Sequence, residues 1–323
     1  MPLLSVILPA YNEELMIHKA CDRIAAVLAE AGIRYELLFV DDGSADGTWK
    51  AVTKEALADE RVRGIRFSRN FGKESAIFAG LSEAAGDAVV VIDCDLQHPP
   101  EKIPEMYALW QQGYQVVEGL KSTRGRESRT YGFFAGLFYR ILSRTSGIDM
   151  ARASDFKLLD RTVVQAILSM PERNMFFRAT SSWVGYRSTS VPFDVQDREN
   201  GSSKWNTRSL VQYAVNDIVS YTAAPLQSVT AAGIICFICS VLLGIYSLVQ
   251  YFAGHAVEGY STLLIVLLMT GSGIMLSLGI IGCYIARIYE EVKNRPRYLI
   301  SEKTDAESKR RSINHEKVDK DIL

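Results

Sequence analysis

The stretch V-V-V-I-D-C-D-L-Q-H-P-P, residues 89–100, places two carboxylates and an amide directly after a short apolar run. The run over 88–92 predicts a buried strand, and the Pro-Pro pair predicts a turn after it. Hard cations such as Mg²⁺ or Mn²⁺ prefer oxygen ligands, and Mg²⁺ commonly shares them with a phosphate group. The pattern therefore favours a metal–diphosphate site formed by Asp93, Asp95 and Gln97. The alternative is a pair of aspartates that only caps the next helix.

Strand-like and helix-like runs alternate on both sides of this stretch. Strands are predicted over 3–8, 35–40, 62–67, 88–92 and 115–119, with helices over 13–31, 46–58, 72–85 and 100–112. Repeated strand–helix–strand units predict an α/β fold, in which a mostly parallel, Rossmann-like sheet is flanked by helices. Ligands of such sheets bind beyond the carboxyl ends of the strands.

Polar residues follow the other strands at the same predicted edge. They are P-A-Y-N-E (9–13), D-D-G-S (41–44) and S-R-N-F-G-K (68–73). Asp41 and Asp42 suit hydrogen bonds to a base imide or a ribose, or else they form a simple turn before the next helix. Lys73 is interpreted either as a partner of the diphosphate or as a solvated side chain. Neither G-x-G-x-x-G after the first strand nor a P-loop motif is present, which argues against those two nucleotide-binding classes.

The chain also contains a long stretch that is almost free of charge. Between residues 228 and 286, Glu258 is the single charged side chain. Two apolar runs, 228–252 and 261–286, are each long enough to cross a bilayer, which takes about 20 helical residues. Lys and Arg are abundant after residue 286 and absent from the 253–260 link, so the tail and the N-terminal domain are predicted to be cytoplasmic. A buried hairpin of a soluble protein is the alternative.

Four segments are predicted from these patterns. They are a cytoplasmic α/β domain over 1–205, an amphipathic interfacial helix over 206–225, a two-helix transmembrane hairpin over 226–288 and a basic cytoplasmic tail over 289–323. A further helix over 129–144, with an aromatic face bounded by arginines, either lies in the headgroup plane or packs in the core. The formal net charge of −1 argues against a nucleic-acid partner.

Basic residues are spread over the segments that lead towards the membrane. A phosphate held at the membrane surface needs such donors, because the planar arginine fork binds phosphate oxygens in pairs. The alternative partner is the anionic lipid headgroup. The candidates are Arg126, Arg140, Arg198 and Lys204. Asp155, in S-D-F-K-L-L-D (154–160), is read either as a carboxylate of the reaction site or as a structural partner of a nearby arginine.

These motifs together resemble those of the family 2 glycosyltransferases of GT-A fold, and within them the polyprenyl-phosphate glycosyltransferases. The matching pieces include P-A-Y-N-E-E, V-D-D-G-S-A-D-G-T, D-C-D-L-Q-H-P-P and R-E-N-G-S-S-K-W, and they span nearly the whole chain. R-N-F-G-K-E-S-A-I-F-A-G-L and M-P-E-R-N-M-F look closest to the bactoprenol glucosyltransferase branch. The chain departs from the usual pattern at Cys94, where Ala or Val is usual, and at Trp205, where Tyr or Phe is commoner.

The resemblance implies a role for each candidate residue. The nucleotide sugar would be held by Pro9, Tyr11, Asn12, Glu13, Asp41, Asp42, Lys73 and Asp93. The metal, Mg²⁺ or Mn²⁺, would be held by Asp93, Asp95 and Gln97. The lipid phosphate would be met by Arg126, Arg140, Arg198 and Lys204. Asp155 would lie near the reacting atoms, so that Asp93, Asp95 and Asp155 form the catalytic set.

The resemblance also implies an activity. It is the inverting transfer of one hexose, with glucose favoured over N-acetylglucosamine or mannose, from a UDP-sugar to a polyprenyl phosphate such as undecaprenyl phosphate. The expected place is the bacterial inner membrane, and the expected assembly is a homo-oligomer. A processive polysaccharide synthase is a weaker alternative because no Q-x-x-R-W motif is present. A non-catalytic scaffold is the other alternative.

Overall fold

The computed structural model describes residues 1–122, 153–170, 172, 176–194, 224–253 and 259–304. It divides the chain into two compact units, Met1–Ser203 together with Pro296–Leu323, and Lys204–Arg295. The predicted helix over 129–144, residues 206–223 of the predicted interfacial helix and the four candidate acceptor residues Arg126, Arg140, Arg198 and Lys204 lie outside the described residues.

An eight-stranded sheet organises the first unit, in the order β7-β5-β6-β4-β1-β2-β3-β8. Its strands are β1 (Leu3–Ala10), β2 (Arg34–Asp41), β3 (Val62–Phe67), β4 (Ala88–Val91), β5 (Val116–Lys121), β6 (Ala153–Asp160), β7 (Ser188–Phe193) and β8 (Ile300–Lys303). The four strands β4, β1, β2 and β3 are mutually parallel. The α/β fold with a mostly parallel sheet is therefore confirmed.

Helices cover both faces of this sheet. They are α1 (Glu14–Glu30), α2 (Thr48–Ala58), α3 (Lys73–Glu83), α4 (Ile103–Gln111), α5 (Arg161–Leu168) and α6 (Phe177–Trp183). Successive strand side chains point to opposite faces, so Val90 lies in the core that also contains Ile24 of α1, whereas Val89 and Val91 lie in the core that contains Ile77 of α3. Burial on both faces explains why the central strands are almost uninterrupted apolar runs.

The strand β8 was not foreseen in the basic tail predicted over 289–323. It pairs antiparallel with β3, the edge of the parallel set. Its anchors are polar: the Gly64 amide donates to Thr304 Oγ1 at 2.7 Å, and Lys303 Nζ lies 2.8 Å from Glu83 Oε1. A four-residue strand held by backbone and polar contacts leaves no hydropathy pattern, so it was not predicted.

The second unit contains two long helices, α7 (Ala224–Phe252) and α8 (Tyr260–Val292). The second of them continues beyond the predicted hairpin boundary at residue 288. Within the described ranges, Met269–Val292 is the one stretch that is both long and apolar enough to span a membrane. One of the two predicted membrane spans therefore has a candidate among the described residues, and the other span stays a prediction.

Candidate active site

The sheet topology brings Asp93 and Asp155 together at the carboxyl edge of β4. Asp93 follows β4 by two residues, and β6 runs antiparallel beside β4 with Val91 opposite Lys157 and Val90 opposite Leu158. Continuing this register by two residues places Asp155 opposite Asp93. Asp155 is buried, with a side chain 5% exposed. The structure thus joins two residues that lie far apart in sequence.

The Lys73 ammonium bridges these two carboxylates. Its Nζ lies 2.6 Å from Asp93 Oδ1 and 2.7 Å from Asp155 Oδ2. Lys73 is the first residue of α3, the helix that follows β3. The Lys73 side chain as a whole is 42% exposed, whereas the Asp155 side chain is 5% exposed. The sequence analysis interpreted Lys73 as a partner of the diphosphate or as a solvated side chain, and neither interpretation included this bridge.

Asp93, Asp155 and Lys73 form a charged cluster, and burial together with neighbouring charges sets the protonation state of each group. Burial by itself would raise the pKa of Asp155, but the Lys73 and Arg178 charges hold it far below its usual range. Burial likewise opposes ionisation of Asp93, and the Lys73 ammonium again lowers its pKa overall. The same two carboxylates outweigh burial at Lys73 and raise its pKa. All three groups are therefore charged at neutral pH.

Arg178, in α6, is a site residue that the sequence analysis missed. Its Nε donates to Asp155 Oδ1 at 2.7 Å and its Nη2 to Asp155 Oδ2 at 3.0 Å. Below it, the fully buried Lys157 donates to Glu118 Oε1 at 2.6 Å and to Ser181 Oγ at 2.8 Å. One of the two interpretations of Asp155 in the sequence analysis was a structural pairing with a nearby arginine, but that arginine was not identified.

His98 is the second missed residue, although the D-C-D-L-Q-H motif contains it. It is buried and stacks on Phe156 with ring centroids 5.3 Å apart. Burial lowers its pKa more than Asp93 raises it, so the ring is neutral at pH 7. The Asp93 amide lies 3.4 Å from Nδ1, in position to donate to an unprotonated nitrogen. His98 thus helps to fix the backbone of the acidic turn that follows β4.

The turn itself is unusual in its backbone. Leu96, between Asp95 and Gln97, has φ +57°, a left-handed conformation that is rare for a residue with a Cβ and is found in functional turns. The Gln97 amide donates to Asp95 Oδ1 at 3.1 Å. The Cys94 side chain is buried in the core, so it does not join the carboxylates of Asp93 and Asp95 as a ligand-facing group.

The first two loops of the site are linked to each other. The Asn12 amide donates to Ser44 Oγ at 2.9 Å, and the Ala45 amide returns a hydrogen bond to Asn12 Oδ1 at 2.9 Å. The Glu13 amide donates to Thr48 Oγ1 at 2.9 Å. Pro9 is the last residue but one of β1, and Tyr11, just beyond the strand, is 43% exposed. The structure thus places the whole P-A-Y-N-E segment beside the D-D-G-S segment, with the Tyr11 ring accessible to a ligand.

Asp41 and Asp42 are buried and hold their own loops. The Ser44 amide donates to Asp41 Oδ1 at 2.9 Å, while the amides of Phe71 and Gly72 donate to Asp42 at 2.7 Å and 2.9 Å. Burial, with Asp41 as a neighbour, raises the pKa of Asp42. Asp42 thereby anchors the loop that leads into α3 and Lys73. For these atoms the structure supports the turn interpretation.

One oxygen of Asp41 remains available for a ligand. Asp41 Oδ2 is buried and accepts no hydrogen bond from the described residues, although Arg66 Nε lies 3.3 Å away. Buried oxygens of this kind are costly unless they are satisfied. Arg66 itself also contacts Glu302 of β8, with Nη1 2.9 Å from Oε1. The free lone pairs of Asp41 suit a donor such as a base imide or a ribose hydroxyl.

Glu74 lies behind the cluster and is the third missed residue. The Phe177 amide, at the start of α6, donates to Glu74 Oε2 at 2.8 Å. Burial, with the Asp155 charge as the next cause, raises the pKa of Glu74 to about 8. Glu74 is therefore largely protonated at neutral pH, and it links α3 to α6 without adding a negative charge.

The predicted acceptor residues cannot be placed, because Arg126, Arg140, Arg198 and Lys204 all lie outside the described residues. One described basic residue, Lys121, ends β5 near the cluster. Burial, reinforced by the Arg178 charge, lowers its pKa. Lys121 is a further candidate donor to an anion.

The donor set at the turn fits a magnesium-type cation. In the part of the chain that the structure describes, no three His, Cys, Asp or Glu side chains converge as a complete metal site. The turn instead supplies the carboxylates of Asp93 and Asp95 and the amide of Gln97. Mg²⁺ is usually bound in this way, through one or two carboxylates together with substrate phosphates and water. The residues present therefore fit a divalent ion that binds together with a diphosphate.

Solved structures with a similar fold are known. Glucosyl-3-phosphoglycerate synthase from Mycobacterium tuberculosis, in complex with Mn²⁺, UDP and phosphoglyceric acid, matches with a TM-score of 0.51 at 21% identity over 68% of this chain and 76% of that chain. Its complex with Mg²⁺ and UDP matches with a TM-score of 0.51 at 20% identity, over 68% and 77%. At this identity the likeness shows a shared GT-A-like fold.

Proteins of similar sequence and a family model also match this chain. An uncharacterized glycosyltransferase of Synechocystis is 39% identical over 93% of this chain and 95% of its own. The bactoprenol glucosyl transferase of Shigella phage SfII is 36% identical over 92% of this chain and 97% of its own. The Glycosyl transferase family 2 model matches residues 5–168, from within β1 to the end of α5, a range that includes Asp41, Asp42, Lys73, Asp93 and Asp155. The chain therefore belongs to glycosyl transferase family 2, as the resemblance of its motifs implied.

Proposed function

We propose that this glycosyltransferase moves one hexose, most simply glucose, from a UDP-sugar to a polyprenyl phosphate such as undecaprenyl phosphate, with inversion at the anomeric carbon. The observation that carries the proposal is the pairing of the Asp93–Gln97 turn with Asp155 at the carboxyl edge of the sheet. Relatives of nearly the same length are bactoprenol glucosyl transferases, and structural neighbours bind UDP with Mn²⁺ or Mg²⁺.

The donor site is built from the loops after β1, β2 and β4. Asp41 Oδ2 offers a buried acceptor, and the exposed Tyr11 ring offers a face against which a base can stack. Asp93, Asp95 and Gln97 would hold a divalent cation, Mg²⁺ or Mn²⁺. When bound, this cation offsets charge on the leaving diphosphate. Lys73 lies at the edge of this site, and its ammonium has one N–H beyond the two that face Asp93 and Asp155.

Asp155 orients groups in this proposal and does not remove a proton. A general base works best when its pKa lies near the operating pH, whereas Lys73 and Arg178 hold the pKa of Asp155 far below that range. The acceptor phosphate needs little help from a general base, because a phosphate monoester, with a second pKa of about 6, is largely a dianion at pH 7. Its oxygen attacks from the face opposite the diphosphate, which inverts the configuration.

The topology of the sheet supports a two-span anchor. β8 follows α8 in the chain but pairs with β3, so the segments before and after the Lys204–Arg295 unit share one sheet. Because a sheet lies on one side of a membrane, the intervening chain must cross an even number of times. If Met269–Val292 crosses once, a second crossing lies between residues 204 and 268. The helix α7, with 29 residues, has the necessary length.

The proposed place of action is the cytoplasmic leaflet of the bacterial inner membrane. The Lys/Arg-rich sequence after residue 286 favours a cytoplasmic tail, and the shared sheet puts the catalytic domain on the same side. Arg126, Arg140, Arg198 and Lys204 remain the proposed donors to the lipid phosphate, and a homo-oligomer remains the proposed assembly.

A donor and acceptor panel tests the proposal. The full-length protein, in nanodiscs, is offered UDP-glucose, UDP-N-acetylglucosamine and GDP-mannose, each with undecaprenyl phosphate, and the lipid product is measured by mass spectrometry. We expect one added hexose from UDP-glucose, and loss of product with EDTA or with Asp95→Asn. A ladder of masses would favour a processive synthase, and release of UDP without any lipid product would exclude the proposed acceptor.

A further inference from the structure

The Lys73 ammonium occupies an oxygen that the proposed metal needs. Its Nζ lies 2.6 Å from Asp93 Oδ1, a charge-assisted contact at the short end of the usual range. An ammonium and a divalent cation at the same carboxylate oxygen repel each other at close range. A metal ion therefore binds Asp93 fully only when the lysine gives up this contact.

The surrounding charges allow that movement. Two cations, Lys73 and Arg178, offset the charges of the two carboxylates that they contact, Asp93 and Asp155. Asp95 adds one further negative charge at the turn. When Lys73 leaves Asp93, Asp155 keeps both of its hydrogen bonds to Arg178, at 2.7 Å and 3.0 Å. The backbone of Lys73 stays anchored, because Asp42 holds the amides of Phe71 and Gly72 just before it.

Once it leaves Asp93, the Lys73 ammonium needs a new partner, and a diphosphate is the one that arrives with the metal. Lys73 is 42% exposed and Asp93 25% exposed, in contrast to the buried Asp155. A metal ion alone would add two positive charges beside the Lys73 ammonium. A metal together with a nucleoside diphosphate adds nearly equal charges of opposite sign and offers oxygens to the displaced lysine.

From these contacts we infer that Lys73 makes metal binding depend on the nucleotide. In the free enzyme the Lys73 ammonium binds the Asp93 oxygen that the metal needs. The nucleoside diphosphate draws the ammonium away, so that the metal can bind. This inference rests on the proposed function, since it takes the donor to be a nucleoside diphosphate bound with a divalent ion. Lys73 then sets the order in which the two ligands bind. Free metal at cellular concentrations would leave the empty site largely unoccupied.

The test measures binding without any sugar or lipid. Mn²⁺ binding to the full-length protein in nanodiscs is followed by the electron paramagnetic resonance signal of free Mn²⁺, with and without saturating UDP. For the wild type we expect UDP to tighten Mn²⁺ binding by about tenfold or more, within the usual range of coupling between sites. In Lys73→Met we expect tighter binding of Mn²⁺ alone by several-fold. The UDP effect should become clearly smaller than in the wild type, although the diphosphate still offers oxygens to the metal.

Two further variants separate coupling from a general structural effect. Lys73→Arg keeps the charge and should retain coupling in the same direction. Lys102→Met removes a lysine whose Nζ lies 2.8 Å from Glu105 Oε2 on the surface and should leave all values unchanged. A merely structural role for Lys73 would weaken Mn²⁺ and UDP binding together and keep their ratio constant.

The outcomes distinguish this inference from the proposed function. Unchanged coupling in Lys73→Met, or weaker binding of Mn²⁺ alone, would overturn the inference and leave the proposed transfer intact. Lysine-dependent coupling without sugar transfer to undecaprenyl phosphate would support the inference and overturn the proposed acceptor. Failure of the wild type to bind Mn²⁺ in the presence of UDP would overturn the inference together with the proposed metal and donor.

Discussion

The Arg178 guanidinium binds Asp155 through two hydrogen bonds, from Nε to Oδ1 at 2.7 Å and from Nη2 to Oδ2 at 3.0 Å. This paired contact fixes both oxygens of a carboxylate that is almost completely buried. It joins β6 to α6 and leaves Lys73 as the more exposed and more easily displaced cation of the cluster. Asp155 is thereby held in one orientation at the edge of the donor site.

Arg178→Lys should reduce both stability and turnover, because a lysine provides a point charge and no planar fork. Arg178 is partly exposed, so we expect a loss of about 1–2 kcal/mol in unfolding free energy, less than for a fully buried pair. Turnover should fall about tenfold through misorientation of Asp155. Thermal unfolding and initial rates of UDP release provide the two measurements. Arg187→Lys, at an exposed position over the Tyr114 ring, is the matched control; equal effects of both variants would contradict the assigned role.

Asp155→Asn should cost less activity than Asp95→Ala. Asparagine retains an oxygen that can accept from Arg178, whereas alanine at residue 95 removes a proposed metal ligand. We expect losses of about tenfold and about 10³-fold in turnover, the second being comparable to removal of a strong electrostatic contact. Rates at several pH values test the role further, and Asp155→Asn should scale them evenly because Asp155 stays ionised. Equal, near-complete losses in two folded variants would contradict this ranking.

Stability should depend on pH through Glu74. Its pKa is 4.5 without perturbation and about 8 in the folded protein, where burial and then the Asp155 charge raise it. Between these values the folded state binds more protons than the unfolded state, so the free energy of unfolding falls as pH rises. Glu74→Gln removes this titration and keeps an acceptor for the Phe177 amide. We therefore expect a shallower decline in melting temperature from about pH 5 to about pH 8.

The control for this experiment is Glu60→Gln, which changes an exposed carboxylate just beyond α2. It should leave the pH dependence of the wild type almost unchanged. If Glu74→Gln and the wild type lost stability in parallel over this range, Glu74 would not be the group responsible.

The two-span topology predicts a specific pattern of cysteine labelling. His255→Cys, in the link between the apolar runs, should react with a membrane-impermeant maleimide added outside intact cells. Lys50→Cys, exposed on α2, should react only after the cells are opened. The native cysteines give the background, which the unmodified chain measures. Labelling of Lys50→Cys in intact cells would place the catalytic domain outside and would refute the topology.

Much of the fold could be predicted because its signals are local. The strands β1 to β5 were predicted to within three residues at either end, since each is a short apolar run bounded by turn residues. The D-x-D motif could be assigned to a strand end for the same reason. The loops at 9–13, 41–44 and 68–73 then had to meet at one edge, because parallel strands bring their carboxyl ends together.

The remainder of the site depends on contacts between distant parts of the chain. No local pattern shows that β6 runs antiparallel to β4, yet this register is what places Asp155 opposite Asp93. The partners Lys73 and Arg178 come from two different helices, and a lone basic residue in a sequence gives no indication of which carboxylate it will meet. The polar strand β8 was missed because strand pairing by backbone hydrogen bonds requires no particular side chains.

The sequence by itself thus determined the alternation of strands and helices, the family, the acidic turn after β4 and the apolar runs, because hydropathy and motif spacing act over a few residues. Only the tertiary structure decided that Lys73 bridges Asp93 and Asp155, that Lys73 and Arg178 together keep Asp155 ionised, and that the chain returns after α8 to complete the sheet. The physical reason is that Coulombic contacts and strand register depend on distances in space, which the fold sets and sequence separation does not.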